Sequence, residues 1–335
     1  MRICIIGAGA IGGLLGSGLA RTNNEINLIA RGDHYRAIKT KGLRVLFNNG
    51  REIYSRPNVF EQFEMLSKQD LIILALKAHQ IKPVAANIAN LFHKDTIIVT
   101  LQNGIPFWYF HGIKGPLAGL ALETVDPGGI IISHIESHRI LHSVVYPAAQ
   151  IISPGIIHHH GGDRFPVGEL DNSQTERVRK ISLLFNEAGF RAPVLQDTRG
   201  EVWLKLLGNV TFNPISALSH ATVIDLLAYP LTRSLVENMM IEAQTVATSL
   251  GVRIRLPIDR RISGAEKLGS HKMSMLQDIE AGRALEIDAL VGAIAEIGRH
   301  INVPTPCIDT LYAVTKLLEK KMNENHACIQ LTPLP

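Results

Sequence analysis

Apolar positions in the first half of the chain cluster in short, mostly apolar runs set between helix-like stretches. Residues 3–6 are one such run, residues 25–30 a second, residues 70–76 a third and residues 96–101 a fourth. Residues 119–125 form a weaker one. Between the third and fourth runs, residues 80–92 read as a helix, with Pro83 tolerable near its start. Continuous apolar strands separated by helices predict a parallel sheet covered on both faces. Residues 139–145, 155–160 and 166–169 predict further strands, with turns at Pro147, Pro154, Gly155 and Gly161-Gly162. From Thr198 onward a period of 3.6 takes over, predicting helices over 199–219, 231–250 and 281–300. The fold class is therefore α/β: a doubly wound sheet domain over residues 1–196 and an all-helical domain over 197–335, with a polar tail fraying after 321.

A length of 335 residues suits two domains, and 46% hydrophobic residues can fill their cores. The net charge of +4 arises from 34 basic and 30 acidic residues that are interspersed, which gives no nucleic-acid-binding arm. Cys4, Cys307 and Cys328 lie far apart, without disulfide or metal-ligand spacing, so a reducing cytoplasm fits and Cys4 reads as a small buried residue. Residues 3–20 carry no charge, and with Arg2 they loosely imitate a secretion signal. Gly7, Gly9, Gly12, Gly13, Gly16 and Gly18 weaken any helical span there and suit a turn instead. No later stretch is long and apolar enough to cross a bilayer.

That turn is Gly7-Ala8-Gly9-Ala10-Ile11-Gly12, directly after the first strand. Gly-x-Gly-x-x-Gly at a strand-to-helix junction predicts a dinucleotide site. The first glycine makes the tight turn, the second admits the pyrophosphate, and the third lets helix and strand pack closely. The helix N-terminus adds free N–H groups and a positive dipole end. The second strand ends at Arg31, where an NAD-binding chain usually places an acid for the ribose hydroxyls. An arginine there can grip a 2′-phosphate and predicts NADPH/NADP+, with Arg21 and Arg36 as candidate helpers.

In the second half, Lys205, Asn209 and Asn213 recur at i, i+4 spacing among Trp203, Leu204, Leu206, Leu207, Val210 and Phe212. A helix would align an ammonium and two amides on one face. Such a stripe is costly in apolar surroundings unless it is paired or lines a cleft, although a solvated surface face would also accommodate it. Residues 271–288 mix Ser274, Asp278, Glu286 and Asp288 with apolar positions; the acids could be helix N-terminal charges, and Asp278 a cap or brace. Asn103-Gly104 and Lys77 follow two strand ends on the edge that borders the ligand crevice of a doubly wound sheet, though Asn-Gly is also a common turn. His158-His159-His160 alternates across a strand and does not converge on a metal, so no metal site is expected.

Taken in order, Gly7 to Gly13, Arg31, Lys77, Gln102-Asn103-Gly104, Lys205-x3-Asn209-x3-Asn213-Pro214, Ser274 to Asp278 and Leu285-Glu286-Ile287-Asp288 resemble the ketopantoate reductase family over nearly the whole chain. The resemblance implies a Rossmann-type domain, a helical domain, and NADPH-dependent reduction of 2-dehydropantoate to pantoate on the route to pantothenate and coenzyme A. It further implies Lys205 as general acid and Glu286 as its catalytic companion. Asn209, Asn213 and Ser274 would bind substrate, and Asn103 would lie at the cofactor–substrate junction. Two features depart from the family pattern: His271 stands where some members carry asparagine, and residues 142–151 lack a glycine-rich stretch. A related reductase of another 2-keto acid, or a non-catalytic NADP(H) sensor, are the alternatives; retention of Lys205 and Glu286 argues against the sensor. A homodimer through the helical domain is compatible with its apolar helices.

Overall fold

A computed structural model describes residues 1–267 and 269–331. The chain forms two compact units. The first comprises Met1–Gln102, Phe110–Ala121 and Gly128–Thr198; the second comprises Asn103–Tyr109, Leu122–Pro127 and Arg199–Pro335.

The strands of the first unit are β1 (Arg2–Ile6), β2 (Glu25–Ile29), β3 (Leu43–Phe47), β4 (Glu52–Ser55), β5 (Asn58–Phe60), β6 (Gln69–Leu74), β7 (Phe92–Thr100), β8 (Ile140–Ser143), β9 (Ala148–Ser153), β10 (Ile156–Gly161) and β11 (Val167–Glu169). Seven of them make one sheet in the order β11-β8-β7-β6-β1-β2-β5, parallel except for β11 at its edge. Consecutive residues Ile3, Cys4 and Ile5 are all fully buried, so both faces of the central strand are covered. Burial pushes the Cys4 thiol well above its ordinary pKa, which leaves it an inert apolar filler.

The helix Ala10–Leu19 explains the charge-free start of the chain. It is buried from Gly12 to Leu19, because the main sheet lies on one side of it and a second, four-stranded sheet (order β4-β3-β10-β9) on the other. A β-carbon on Gly13 would lie 2.3 Å from Ile157 Cδ1 of β10, and one on Gly16 2.9 Å from Leu28 Cδ2 of β2. The glycines are thus what lets one helix fit between two sheets, and Leu14, Leu15 and Leu19 add about 1.5–3 kcal/mol each by leaving water.

The second sheet was not foreseen, and several predicted elements differ. Residues 80–92 do not form one helix: 3₁₀ turns at Ala78–Gln80 and Lys82–Val84 precede a short helix, Ala85–Ala89, because Pro83 breaks the hydrogen-bond ladder. Phe92 already belongs to β7, whose exposed Lys94 and Asp95 hide its start from an apolar pattern. Residues 119–125 form no strand. Instead the N–H groups of Glu123 and Thr124 donate to the Glu296 carboxylate at 2.7 and 2.9 Å, joined by the Thr124 hydroxyl at 2.6 Å.

The second unit is helical: Thr198–Ser219, Val223–Ala228, Pro230–Ser249, Ile258–Glu266, Ser274–Glu280, Ala293–His300 and Pro306–Glu324. The predicted helix over 281–300 starts late. Gly282 (φ 62°) ends the preceding helix, and Asp288–Gly292 is a π-helical turn leading into Ala293–His300. Trp203 is fully buried and donates its indole N–H to the Tyr109 hydroxyl at 2.6 Å, which ties the Asn103–Tyr109 segment to this unit. The Glu242 carboxylate caps the last long helix through the N–H groups of Cys307 and Ile308. The last helix runs past 321 to Glu324, and the Gln330 amide donates to the Glu280 carbonyl at 2.8 Å. Residues 332–335 of the expected tail lie outside the described residues. Among the described residues no helix is long and apolar enough to cross a membrane.

Candidate active site

In the first unit the glycine turn has the geometry its sequence demands. Gly7 has φ 99°, and a β-carbon there would press on the Ala75 carbonyl oxygen at 2.9 Å. A β-carbon on Gly12 would lie 2.0 Å from the Gly7 carbonyl oxygen, so helix and turn touch backbone to backbone. At Gly9 a β-carbon would meet nothing within 4 Å, because this position opens outward. Gly7, Ala8 and Gly9 line a cleft of about 510 Å³ together with Arg31, His34 and Leu76. Ala10, Ile11 and Gly12 open the following helix, whose first N–H groups have no preceding helical carbonyl to bond. This cradle fits a pyrophosphate: open at the second glycine, sealed at the first and third, and backed by a helix N-terminus.

Arg31 is exposed at the rim of this cleft, at the end of β2 and the start of the helix Gly32–Lys41. Lys77 follows Leu76 at the mouth and begins the Ala78–Gln80 turn, where its N–H donates to Gln80 Oε1 at 3.0 Å. His34 was not singled out from sequence, although it stands one helical turn after Arg31. Its Nδ1 accepts the Gly155 N–H at 3.0 Å, and burial, opposed by a bond to the Ala8 backbone, holds its pKa below the ordinary histidine value. Gln102 stands out in the sequence only as a member of the Gln102-Asn103-Gly104 motif. Buried, it donates from Nε2 to the carbonyls of Leu74 and Leu76 at 2.8 and 3.0 Å, which fixes the end of β6 beside the cleft.

In the second unit, Lys205, Asn209 and Asn213 share one face of the helix Thr198–Ser219. The Lys205 ammonium donates to Asn103 Oδ1 at 2.5 Å. Burial pushes the Lys205 pKa down to about 8, and the negative charge of Glu286 offsets part of that fall. Asn103, Lys205 and Glu286, far apart in sequence, are therefore brought together around one ammonium. Asn209 is half-buried one turn further along.

Asn213 is fully buried, and its Oδ1 accepts from the Ser274 hydroxyl at 3.2 Å and the Met275 N–H at 3.1 Å. The Met275 N–H can only donate, so it settles which end of the amide is oxygen. The opposite end, Nδ2, is buried with no acceptor among the described residues. An unmet buried donor costs about 1–3 kcal/mol, which an arriving acceptor would recover. Ser274 begins the helix Ser274–Glu280, and Asp278 braces its end by holding both the N–H and the guanidinium of Arg283. His271 is exposed, and its backbone carbonyl accepts the Val223 N–H at 3.2 Å.

His158 and His160 lie on one face of β10 with ring centroids 4.5 Å apart, while His159 turns to the other face against Phe47. Among the described residues no three histidine, cysteine or acidic side chains group as a metal site requires.

Gly104 secures Asn103. It has φ 83°, and a β-carbon would lie 2.2 Å from the Ala289 carbonyl oxygen, which also accepts the Ile105 N–H at 2.9 Å. Gly104→Ala therefore combines left-handed strain, about 1–3 kcal/mol, with a backbone clash. Denaturant unfolding should show a loss of at least that size, and an unchanged midpoint would mean that this segment docks differently.

A glycine turn on a parallel sheet, and elsewhere a buried lysine bonded to an amide and under the charge of a carboxylate, are the parts of an oxidoreductase. The family model described as ketopantoate reductase PanE/ApbA matches residues 3–172, and its C-terminal counterpart matches residues 197–319. The 2-dehydropantoate 2-reductase of Mesorhizobium japonicum is 47% identical over 95% of this chain and 98% of its own length. Among solved structures, a Ralstonia solanacearum protein assigned to the ketopantoate reductases superposes with TM-score 0.90 at 38% identity, covering 96% of this chain and 98% of that one. D-mandelate dehydrogenase, solved with NADH and anilino(oxo)acetate, superposes with TM-score 0.82 at 26% identity, covering 96% of this chain and all of its own (100%). The chain belongs to the ketopantoate reductase family.

Proposed function

We propose that this enzyme reduces 2-dehydropantoate to pantoate with NADPH, and so serves the synthesis of pantothenate and coenzyme A. The observation that carries the reading is the buried Lys205 ammonium, hydrogen-bonded to Asn103 Oδ1 and favoured by the negative charge of Glu286. The 47% identity to a relative named for this reaction supports it.

When bound, the nicotinamide supplies hydride to the ketone carbon. As charge grows on the ketone oxygen, the Lys205 ammonium stabilises it and delivers the proton that completes the alcohol. Glu286 favours the charged form of Lys205 and orients it, while burial brings its pKa close to working pH. The unsatisfied Asn213 donor and Asn209 on the same helix face, with Ser274 bonded to the Asn213 oxygen as a further hydroxyl, suit a substrate carboxylate without adding a second full charge. Gly7 to Gly12 cradle the pyrophosphate, Arg31 takes the 2′-phosphate, and Lys77 and Asn103 lie toward the nicotinamide end.

A second reading is favoured by the likeness to D-mandelate dehydrogenase, whose structures contain NADH: reduction of a different 2-keto acid, with the unphosphorylated cofactor. Absorbance of NADPH and NADH, followed with a panel of 2-keto acids, separates the two. Turnover on 2-dehydropantoate with NADPH should exceed every other pairing. Faster turnover of an aromatic keto acid, or preference for NADH, would replace the first reading with the second. Tight NADPH binding without turnover on any acid would instead indicate a sensor.

A further inference from the structure

Glu286 sits between two anchors on the helix Pro306–Glu324. On one side, the Leu285 N–H donates to Glu319 Oε1 at 2.8 Å. On the other, the Asp288 carboxylate accepts from the Tyr312 hydroxyl at 2.7 Å and from the Lys316 ammonium at 3.1 Å. Lys316 also donates to Glu319 Oε2 at 3.0 Å, which joins the two anchors into one bracket. The helical ladder resumes inside it, with the Leu290 N–H donating to the Glu286 carbonyl at 3.1 Å.

The bracket also reaches the other neighbour of Lys205. Asp288 opens the π-turn Asp288–Gly292, and the next residue, Ala289, offers its carbonyl to the Ile105 N–H at 2.9 Å. That bond, with the close fit of Gly104 on Ala289, fixes the segment bearing Asn103. A π-turn widens the helix by one residue and alters which carbonyls remain for outside donors, a distortion common beside functional groups. The Tyr312 ring lies against Gly292, where a β-carbon would come within 2.7 Å of Cε2, so ring and turn are packed together. Burial and the bond to Asp288 raise the Tyr312 pKa, so the phenol remains a donor throughout the working range.

We infer that Tyr312 and Lys316 are positioning residues for the reduction: through Asp288 and the π-turn they hold Glu286 and Asn103, the two groups that act on the Lys205 ammonium. This inference rests on the proposed role of Lys205. Each acts by restricting where the two neighbours of the ammonium can be, and small displacements of such groups are costly to rate.

The test compares Tyr312→Phe and Lys316→Met, each alone and combined with Glu286→Gln. Phenylalanine keeps the ring against Gly292 and removes only the hydroxyl. Each single variant should lower kcat about tenfold, with KM for the keto acid and Kd for NADPH within about twofold of the parent. In the Glu286→Gln background the same changes should cost clearly less than in the parent, because one of the two groups they position has already lost its charge and only the effect through Asn103 remains. Lys316→Met, on a half-exposed helix face, provides the second variant should Tyr312→Phe fold poorly, and NADPH titration verifies folding. Unchanged kcat in both variants would overturn the inference, as would losses that multiply in full with Glu286→Gln. If Lys205→Ala itself retained full turnover, the proposed role of Lys205 would fail instead, so the two failures are distinct.

Discussion

Replacing Lys205 with alanine is expected to lower kcat by about 10²–10⁴-fold, the span usual for removing a positioned general acid. NADPH affinity should stay near the parent value, because the glycine turn and Arg31 that would hold the cofactor belong to the other unit of the chain. The parent enzyme should also lose activity as pH rises. Lys205 must carry its proton to donate it, and burial has brought its pKa from the ordinary lysine value down to about 8. The kcat profile should therefore be flat below that value and fall above it. Lys205→Arg supplies the complementary measurement. A guanidinium stays protonated across the accessible range and cannot release its proton readily, so this variant should be slow and lack the alkaline fall. Single-turnover absorbance of NADPH against pH reads both effects. A Lys205→Ala variant with parental kcat, or an alkaline fall that persists in Lys205→Arg, would take this residue out of the chemistry.

The features that could be read from the sequence are those in which a local backbone demand selects the residue. Gly7, Gly9 and Gly12 each answer a separate steric condition within one turn, and the φ of Gly7, the open side of Gly9 and the contact at Gly12 match those conditions one for one. Lys205, Asn209 and Asn213 were legible for a similar reason, since helical periodicity alone places them on one face. The second sheet was obscured because its strands are short and mixed. In β3 buried Leu43 and Val45 alternate with exposed Arg44, and in β9 no residue is buried. Its existence was encoded instead in Gly13, whose missing side chain makes room for Ile157 from a strand far along the chain. Pairings over long stretches of chain were beyond local patterns altogether. Glu296 holding residues 123 and 124, and Tyr312 holding Asp288, pair positions separated by long stretches of chain, and nothing in either segment alone announces a partner. The π-turn is the extreme case: its residues 288–292 read as ordinary helix, and the widening answers to what packs around it.

Arg31→Ala is expected to raise the Kd for NADPH by about 10–100-fold while changing that for NADH by less than about twofold. The span follows from about 1.5–3 kcal/mol for hydrogen bonds to a charged group, at 1.4 kcal/mol per decade. Arg31 is exposed at the rim of the cleft, so its attraction for a phosphate is screened, and the NADPH advantage of the parent should shrink with added salt. The surroundings are not uniformly favourable to a phosphate. The Gly32 N–H donates to the Glu61 carboxylate at 3.1 Å, which places an acid next to the arginine. The preference is therefore a balance between one guanidinium, able to form paired bonds with a dianion, and one carboxylate that repels it. Removing the arginine leaves only the repulsive member, which is why the loss should fall on NADPH selectively. Fluorescence titration of both cofactors at two ionic strengths measures it. Equal losses for the two cofactors would assign Arg31 to a part of the dinucleotide they share, and the preference for the phosphorylated form would then have to arise from another group at the cleft, of which His34 is the nearest in sequence.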